Sequence, residues 1–114
     1  MEDDLVRWGK VITLETRGRR SGLPRRVTVG FVDEPGGALL VAAADDMTSW
    51  AANLAVEPAC HVERDGRRAS YVALALEGAD HAAAVSALIL KYGTPSERLG
   101  GGPAFRLVPA PGAG

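Results

Sequence analysis

The chain has 114 residues, 46% of them hydrophobic and 24% charged, with 13 basic and 14 acidic side chains for a net charge of −1. That is room for one domain with one modest core, and the near-neutral balance excludes the broad basic face that general nucleic-acid binding needs. The single cysteine, Cys60, excludes an internal disulfide and fits a reducing compartment. No apolar run approaches the roughly 20 residues of a bilayer span. Met1-Glu2-Asp3-Asp4 lacks the basic start of a signal peptide, so the expected location is the cytoplasm, with loose membrane association left open.

In chain order, residues 6–16 alternate, with Trp8, Ile12, Leu14 and Thr16 on one set of positions, which predicts a strand. Residues 18–24 form a loop, and residues 26–32 resume strand character through Val27, Val29 and Phe31. Glu34-Pro35-Gly36-Gly37 is a turn signal. The unbroken apolar run at 38–43 predicts a third strand buried on both faces. Thr48 or Ser49 can cap a short helix through Trp50, Asn53 and Leu54 that stops at Pro58. Residues 59–63 and 67–76 flank Asp65-Gly66 and read as an antiparallel hairpin.

From Ala79 the chain is alanine-rich, with Val85, Leu88, Ile89 and Tyr92 at helical spacing, Asp80 as cap and Gly93 as stop. Thr94-Pro95-Ser96-Glu97 predicts a brief further turn of helix. Residues 104–108 read as a last strand and 109–114 as a disordered tail. Six strands with two or three short helices, and no βαβ alternation, predict a single mainly β (α+β) domain over residues 1–114. Its architecture is a small, mostly antiparallel barrel.

Between Thr16 and Thr28 lie five arginines (Arg17, Arg19, Arg20, Arg25 and Arg26) and no acidic residue. Such a cluster repels itself unless an anion neutralises it, and the guanidinium fork suits phosphate and carboxylate. Gly18 and Gly22 allow close backbone approach, Ser21 adds a hydroxyl, and Pro24 stiffens the exit. These features point to a small anionic ligand, against the plain alternative of a solvated loop. Trp50 and Asn53 share a helix face, where the tryptophan can wall a planar ring and the asparagine can hold a loop or a ligand amide. Ala42, Ala43 and Ala44 are small enough for a flat heterocycle to lie against backbone. Cys60, His61 and His81 show no metal-ligand spacing, and no metal is expected. Tyr92 is a candidate proton donor, with core packing as its alternative.

The series Gly18-Arg19-Arg20-Ser21-Gly22-x-x-Arg25, the strand at 39–44, and Trp50-x-x-Asn53-Leu54 before Pro58 resembles the deazaflavin-dependent nitroreductase family over about residues 10–108. The resemblance implies a split β-barrel related to FMN-binding flavoproteins. It implies coenzyme F420, a deazaflavin with a phosphate and a polyglutamate tail, with FMN as the alternative. On that likeness Arg19, Arg20, Ser21, Gly22 and Arg25 hold the anionic part. Val41, Ala42, Ala43 and Ala44 line the ring, and Trp50 and Asn53 close one side.

The implied activity is hydride transfer to a quinone, nitroaromatic or activated alkene, with solvent or Tyr92 returning the proton. A non-catalytic deazaflavin carrier is the other reading. The short lead-in, Ala44 in place of a frequent serine, and the glycine-rich stretch after Tyr92 depart from the better-known members. They bear on the acceptor rather than on the cofactor. Monomer and homodimer both stay open.

Overall fold

Alternation in the first strand sorts its side chains cleanly. Ile12, Leu14 and Thr16 are buried, while Val11, Thr13 and Glu15 are only half-buried on the other face. The computed structural model describes residues 11–43, 48–92 and 102–110. Within them, β1 (Val11–Arg17) pairs antiparallel with β2 (Pro24–Gly30), placing Thr16 opposite Arg25 and Arg17 opposite Pro24. There follow β3 (Val32–Asp33), a 3-10 turn (Pro35–Gly37) and β4 (Leu39–Ala42). Helix α1 (Ser49–Val56), β5 (Ala59–Arg64), β6 (Arg67–Leu76), α2 (Gly78–Tyr92) and β7 (Ala104–Pro109) complete the order.

The strands form one antiparallel sheet in the order β2-β1-β5-β6-β7-β4-β3, curled into a half-barrel. Among the described residues it has seven strands where the pattern predicted six. The run at 26–32 is two strands, not one, because the chain turns a corner at Phe31. β2 lies on one edge of the sheet and β3 on the other, so a single buried residue joins the two edges. Leaving the ladder there frees Phe31's backbone groups, which must find partners elsewhere. The Phe31 N–H donates to the Tyr92 hydroxyl at 3.0 Å, and its carbonyl accepts from Lys91 Nζ at 2.7 Å. Gly30 makes this approach possible, since a Cβ there would sit 3.1 Å from the Tyr92 ring.

Two apolar layers follow. Inside the curl, Ile12, Leu14, Leu39, Val41, Val62 and Leu107 pack with Trp50 and Leu54 of α1. Outside it, Leu40, Ala42, Leu76 and Ala104 are covered by Ala84 and Leu88 of α2. β4 therefore contributes to both layers, as its unbroken apolar run predicted.

The Asp65-Gly66 hairpin is a two-residue turn with φ of 54° and 76°, and Arg64 pairs directly with Arg67. That backbone matches the primed turns whose twist suits a hairpin. Asp80 lies in the first turn of α2, which starts at Gly78, rather than capping it. Pro109 and Ala110, expected in the tail, belong to the sheet region. Pro109 closes β7 opposite Tyr71, and the Ala110 N–H donates to the Ser70 carbonyl at 3.0 Å.

The expected strand start at 6–10, Ala44, the Gly93 stop, the turn at 94–97 and residues 111–114 lie outside the described residues. Among the described residues no helix is long and apolar enough to cross a membrane.

Candidate functional site

The arginine hairpin between β1 and β2 is held in shape by its own backbone. The Gly18 N–H donates to the Leu23 carbonyl, and the Gly22 N–H to the Gly18 carbonyl, both at 2.8 Å. Gly22 takes a φ of 72°, in the left-handed region that glycine enters without strain. A Cβ on Gly18 would meet Ser21 Oγ at 2.8 Å and the Leu23 carbonyl oxygen at 3.2 Å, so a larger residue there would have to displace the Ser21 side chain and crowd the turn. Ser21 Oγ accepts from the Leu23 N–H at 3.2 Å and is thereby partly committed to the hairpin itself.

Beside the hairpin, α1 begins at Ser49. Thr48 stands at its N-cap in extended conformation without a side-chain capping hydrogen bond. Between hairpin and helix lies a cleft of about 490 Å³. Arg19, Arg20, Ser21, Arg25, Trp50 and Asn53, six of the residues singled out from the sequence, line it together. Gly18, Arg26, Val27 and Ser49 complete the lining. Arg26 and Val27 were legible as cluster and strand members but not as site residues. Period two from Arg25 puts Val27 on the same face of β2, and that signal would have found it.

The five arginines divide by what they touch. Arg17 Nη1 donates to the Gly22 carbonyl at 2.9 Å. Arg19 donates to Asn53 Oδ1 from its backbone N–H at 3.2 Å and from Nη1 at 3.0 Å. Arg26 pairs with Glu15 at 3.1 Å and lies 3.9 Å from Glu63. Glu15 also takes Arg68 at 2.6 Å. Desolvation pushes the Glu15 carboxyl up, but the hydrogen bonds and charges of Arg26 and Arg68 outweigh it and hold the carboxyl below the usual range. Arg20 and Arg25, both exposed, have no carboxylate partner among the described residues.

Trp50 is 9% exposed; its ring is tilted 55° to that of Phe105, with centroids 6.2 Å apart. Packing thus fixes the indole while one part of it faces the cleft. Asn53 is buried, and its amide ties the hairpin to the helix and to Thr16.

Other residues from the sequence lie elsewhere. Val41, Ala42 and Ala43 are buried in the two apolar layers and do not line the cleft; Gly22 shapes the hairpin without lining it. Tyr92 sits at the barrel corner, its hydroxyl bonded to the Phe31 backbone, away from the cleft lining. Cys60 is buried, and desolvation raises its thiol to about 11, which leaves it protonated and inert. His61 lies on the opposite face of β5, 3.6 Å from Glu15, and His81 Nε2 sits 2.7 Å from the Gly102 carbonyl. Among the described residues no group of three potential metal ligands comes together.

Residues 4–95 match the family model of the F420H(2)-dependent quinone reductases. The chain belongs to that family. Its members are oxidoreductases that depend on F420, and nothing in the match favours FMN. Solved structures of the same fold include an F420-H2 dependent reductase, FDR-A, at 21% identity and a TM-score of 0.72 over 86% of this chain and 93% of that one. The heme storage protein HutZ from Vibrio cholerae is 19% identical, with a TM-score of 0.74 over 97% and 89%. A heme binding protein from Mycobacterium smegmatis is 21% identical, with a TM-score of 0.68 over 93% and 49%. At such identities the likeness speaks for the split barrel alone, a fold shared by proteins of different function. No curated protein matches this chain.

Proposed function

We propose that this chain binds reduced F420 in the cleft between the arginine hairpin and α1 and passes a hydride to a quinone, with nitroaromatics and activated alkenes as further acceptors. The observation that carries this reading is the pair Arg20 and Arg25. Both residues line the cleft that Trp50 also lines, and neither has a carboxylate partner among the described residues. Two like charges so placed favour a bound anion. The phosphate and glutamate carboxylates of the coenzyme suit the guanidinium fork. The cleft volume falls within the range of about 300–1,000 Å³ usual for small-molecule sites. These residues fit the coenzyme.

When bound, reduced F420 supplies a hydride and disfavours one-electron chemistry. The chain's own part is to grip the anionic end with Arg20 and Arg25 and to seat the ring system against Trp50 and Val27. Positioning of this kind lowers barriers by as much as about 7–11 kcal/mol in the best cases. A quinone that gains a hydride also needs one proton to become the hydroquinone. Solvent at the exposed cleft supplies it, because the Tyr92 hydroxyl is engaged at Phe31.

The test mixes the protein with reduced F420 and a panel of quinones, nitro compounds and enones, and follows coenzyme oxidation by absorbance. Oxidation that is fastest with quinones is the expected result. Tight F420 binding without oxidation by any acceptor would make the protein a carrier. A parallel titration with FMN is expected to show the weaker binding, and a preference for FMN would overturn the reading.

A further inference from the structure

We propose that Thr16 and Asn53 are positioning residues that set the arginine hairpin for its anion, with Arg19 as the pin through which they act. Arg20 and Arg25 are then left to meet the ligand. The proposal rests on the reading of the cleft as an anion site, and goes beyond it by dividing the arginines into ligand contacts and a structural tie.

Asn53 is 3% exposed on α1, and Thr16 is 2% exposed at the last inward position of β1. Asn53 Nδ2 donates to Thr16 Oγ1 at 3.1 Å, while Oδ1 accepts from the Arg19 N–H and from Arg19 Nη1. A carbonyl oxygen has two lone pairs, so both are taken. The Asn53 oxygen is therefore committed inward and is not a ligand contact. The hairpin's own bonds, from Gly18, Gly22 and Arg17, fix its internal shape. The Asn53 bonds fix its position against α1, the helix that carries Ser49 and Trp50 to the same cleft. Thr16 in turn sets the rotamer of the amide. A polar pair at an otherwise apolar depth is worth its burial only if fully bonded, and no buried side-chain nitrogen or oxygen among the described residues lacks a partner.

The experiment compares Thr16→Val, Thr16→Ser, Asn53→Ala, Arg19→Met and Arg20→Gln in the full chain. Two readouts are used: amide hydrogen exchange of the protein without coenzyme, and F420 affinity by fluorescence at two salt concentrations. Thr16→Val and Asn53→Ala should speed exchange of the Gly22 amide by about tenfold while leaving the β5–β6 ladder unchanged. Both should raise the F420 dissociation constant by about tenfold, and Thr16→Ser should return it to within about twofold of the parent. Their salt dependence should match the parent's, whereas Arg20→Gln should both weaken binding and flatten that dependence. Arg19→Met combined with Asn53→Ala should cost no more than either alone.

Parent-like affinity in Thr16→Val and Asn53→Ala, with Arg20→Gln weakened, overturns the positioning role and leaves the anion site standing. Unchanged affinity in Arg20→Gln overturns the anion site instead, and exchange at Gly22 then decides whether the tie exists at all. Loss of folding in both Thr16→Val and Asn53→Ala also overturns the proposal, since the pair would then be part of the core rather than a positioning device.

Discussion

The Tyr92 hydroxyl serves both backbone groups of Phe31, accepting from its N–H at 3.0 Å and donating to its carbonyl oxygen at 3.1 Å. This contact lies where the chain crosses from one edge of the sheet to the other, and it replaces the ladder bonds lost at the corner. Burial raises the Tyr92 phenol above its ordinary value, which keeps the hydroxyl protonated and able to donate. Tyr92→Phe should therefore act on stability. Leaving the Phe31 N–H unpaired costs about 1–3 kcal/mol, and the thermal midpoint should fall by roughly 4 °C for each. Coenzyme turnover measured well below that midpoint should stay within about twofold. A large loss of turnover at unchanged stability would return Tyr92 to the chemistry.

Charge reversal at Arg20 or Arg25 should do the opposite. A hydrogen bond to a charged group contributes about 1.5–3 kcal/mol, so each of Arg20→Glu and Arg25→Glu should weaken F420 binding by at least about tenfold. Both positions are exposed, and the midpoint without coenzyme should barely move or should rise slightly as self-repulsion is relieved. Fluorescence titration beside thermal melts separates the two effects. Unchanged affinity in both variants removes the anion assignment.

Acid stability should carry the signature of Asp33. Its carboxyl is held below the usual range by the two hydrogen bonds from Arg64, at 2.6 and 3.0 Å, and by that arginine's charge. A depressed native pKa means stability that is present above the unfolded value of about 4 and lost as pH falls through the native one. Asp33→Asn should therefore be less stable than the parent at pH 7 and equal to it once Asp33 is protonated. The pair is more than a third exposed, so the difference should not exceed about 1 kcal/mol. Chemical denaturation across pH 2–7 reads it directly, and a difference that persists at the acid end would exclude Asp33 as its source.

Cys60 should be silent. With a buried thiol near 11, its alkylation by iodoacetamide at pH 8 should be on the order of 100-fold slower than that of a free cysteine, and should become fast on unfolding. Rapid labelling of the native protein would show that β5 opens.

Much of this was legible beforehand because it is local. Alternation marked β1, the unbroken apolar run marked β4 as buried on both faces, and Asp65-Gly66 marked its hairpin. Charge density marked the arginine cluster and helix spacing marked Trp50 and Asn53 as separate candidates, and only the family resemblance joined the two, which line one cleft. What did not survive was tertiary. Nothing in Val29-Gly30-Phe31-Val32 announces a corner, because the partner that makes it tolerable, Tyr92, lies 61 residues away. The three alanines after Val41 read as a bed for a flat ring; Ala43 is packed in the inner apolar layer and Ala42 in the outer one under α2, contacts that a bare sequence does not display. Thr16 fell on the inward set of β1, and a hydroxyl at a core position was the clue to its bond with Asn53.

β2 lies at the rim of the sheet, with β1 as its sole strand partner among the described residues, and carries Pro24, Arg25 and Arg26 at its start. A rim of that kind invites another chain to zip onto it, and proline and cationic side chains are what discourage such zipping. The charge proposed to hold an anion would thus also guard the open border of the barrel against aggregation. Stripping it to weaken coenzyme binding should leave a protein that folds, but one that keeps less well at high concentration.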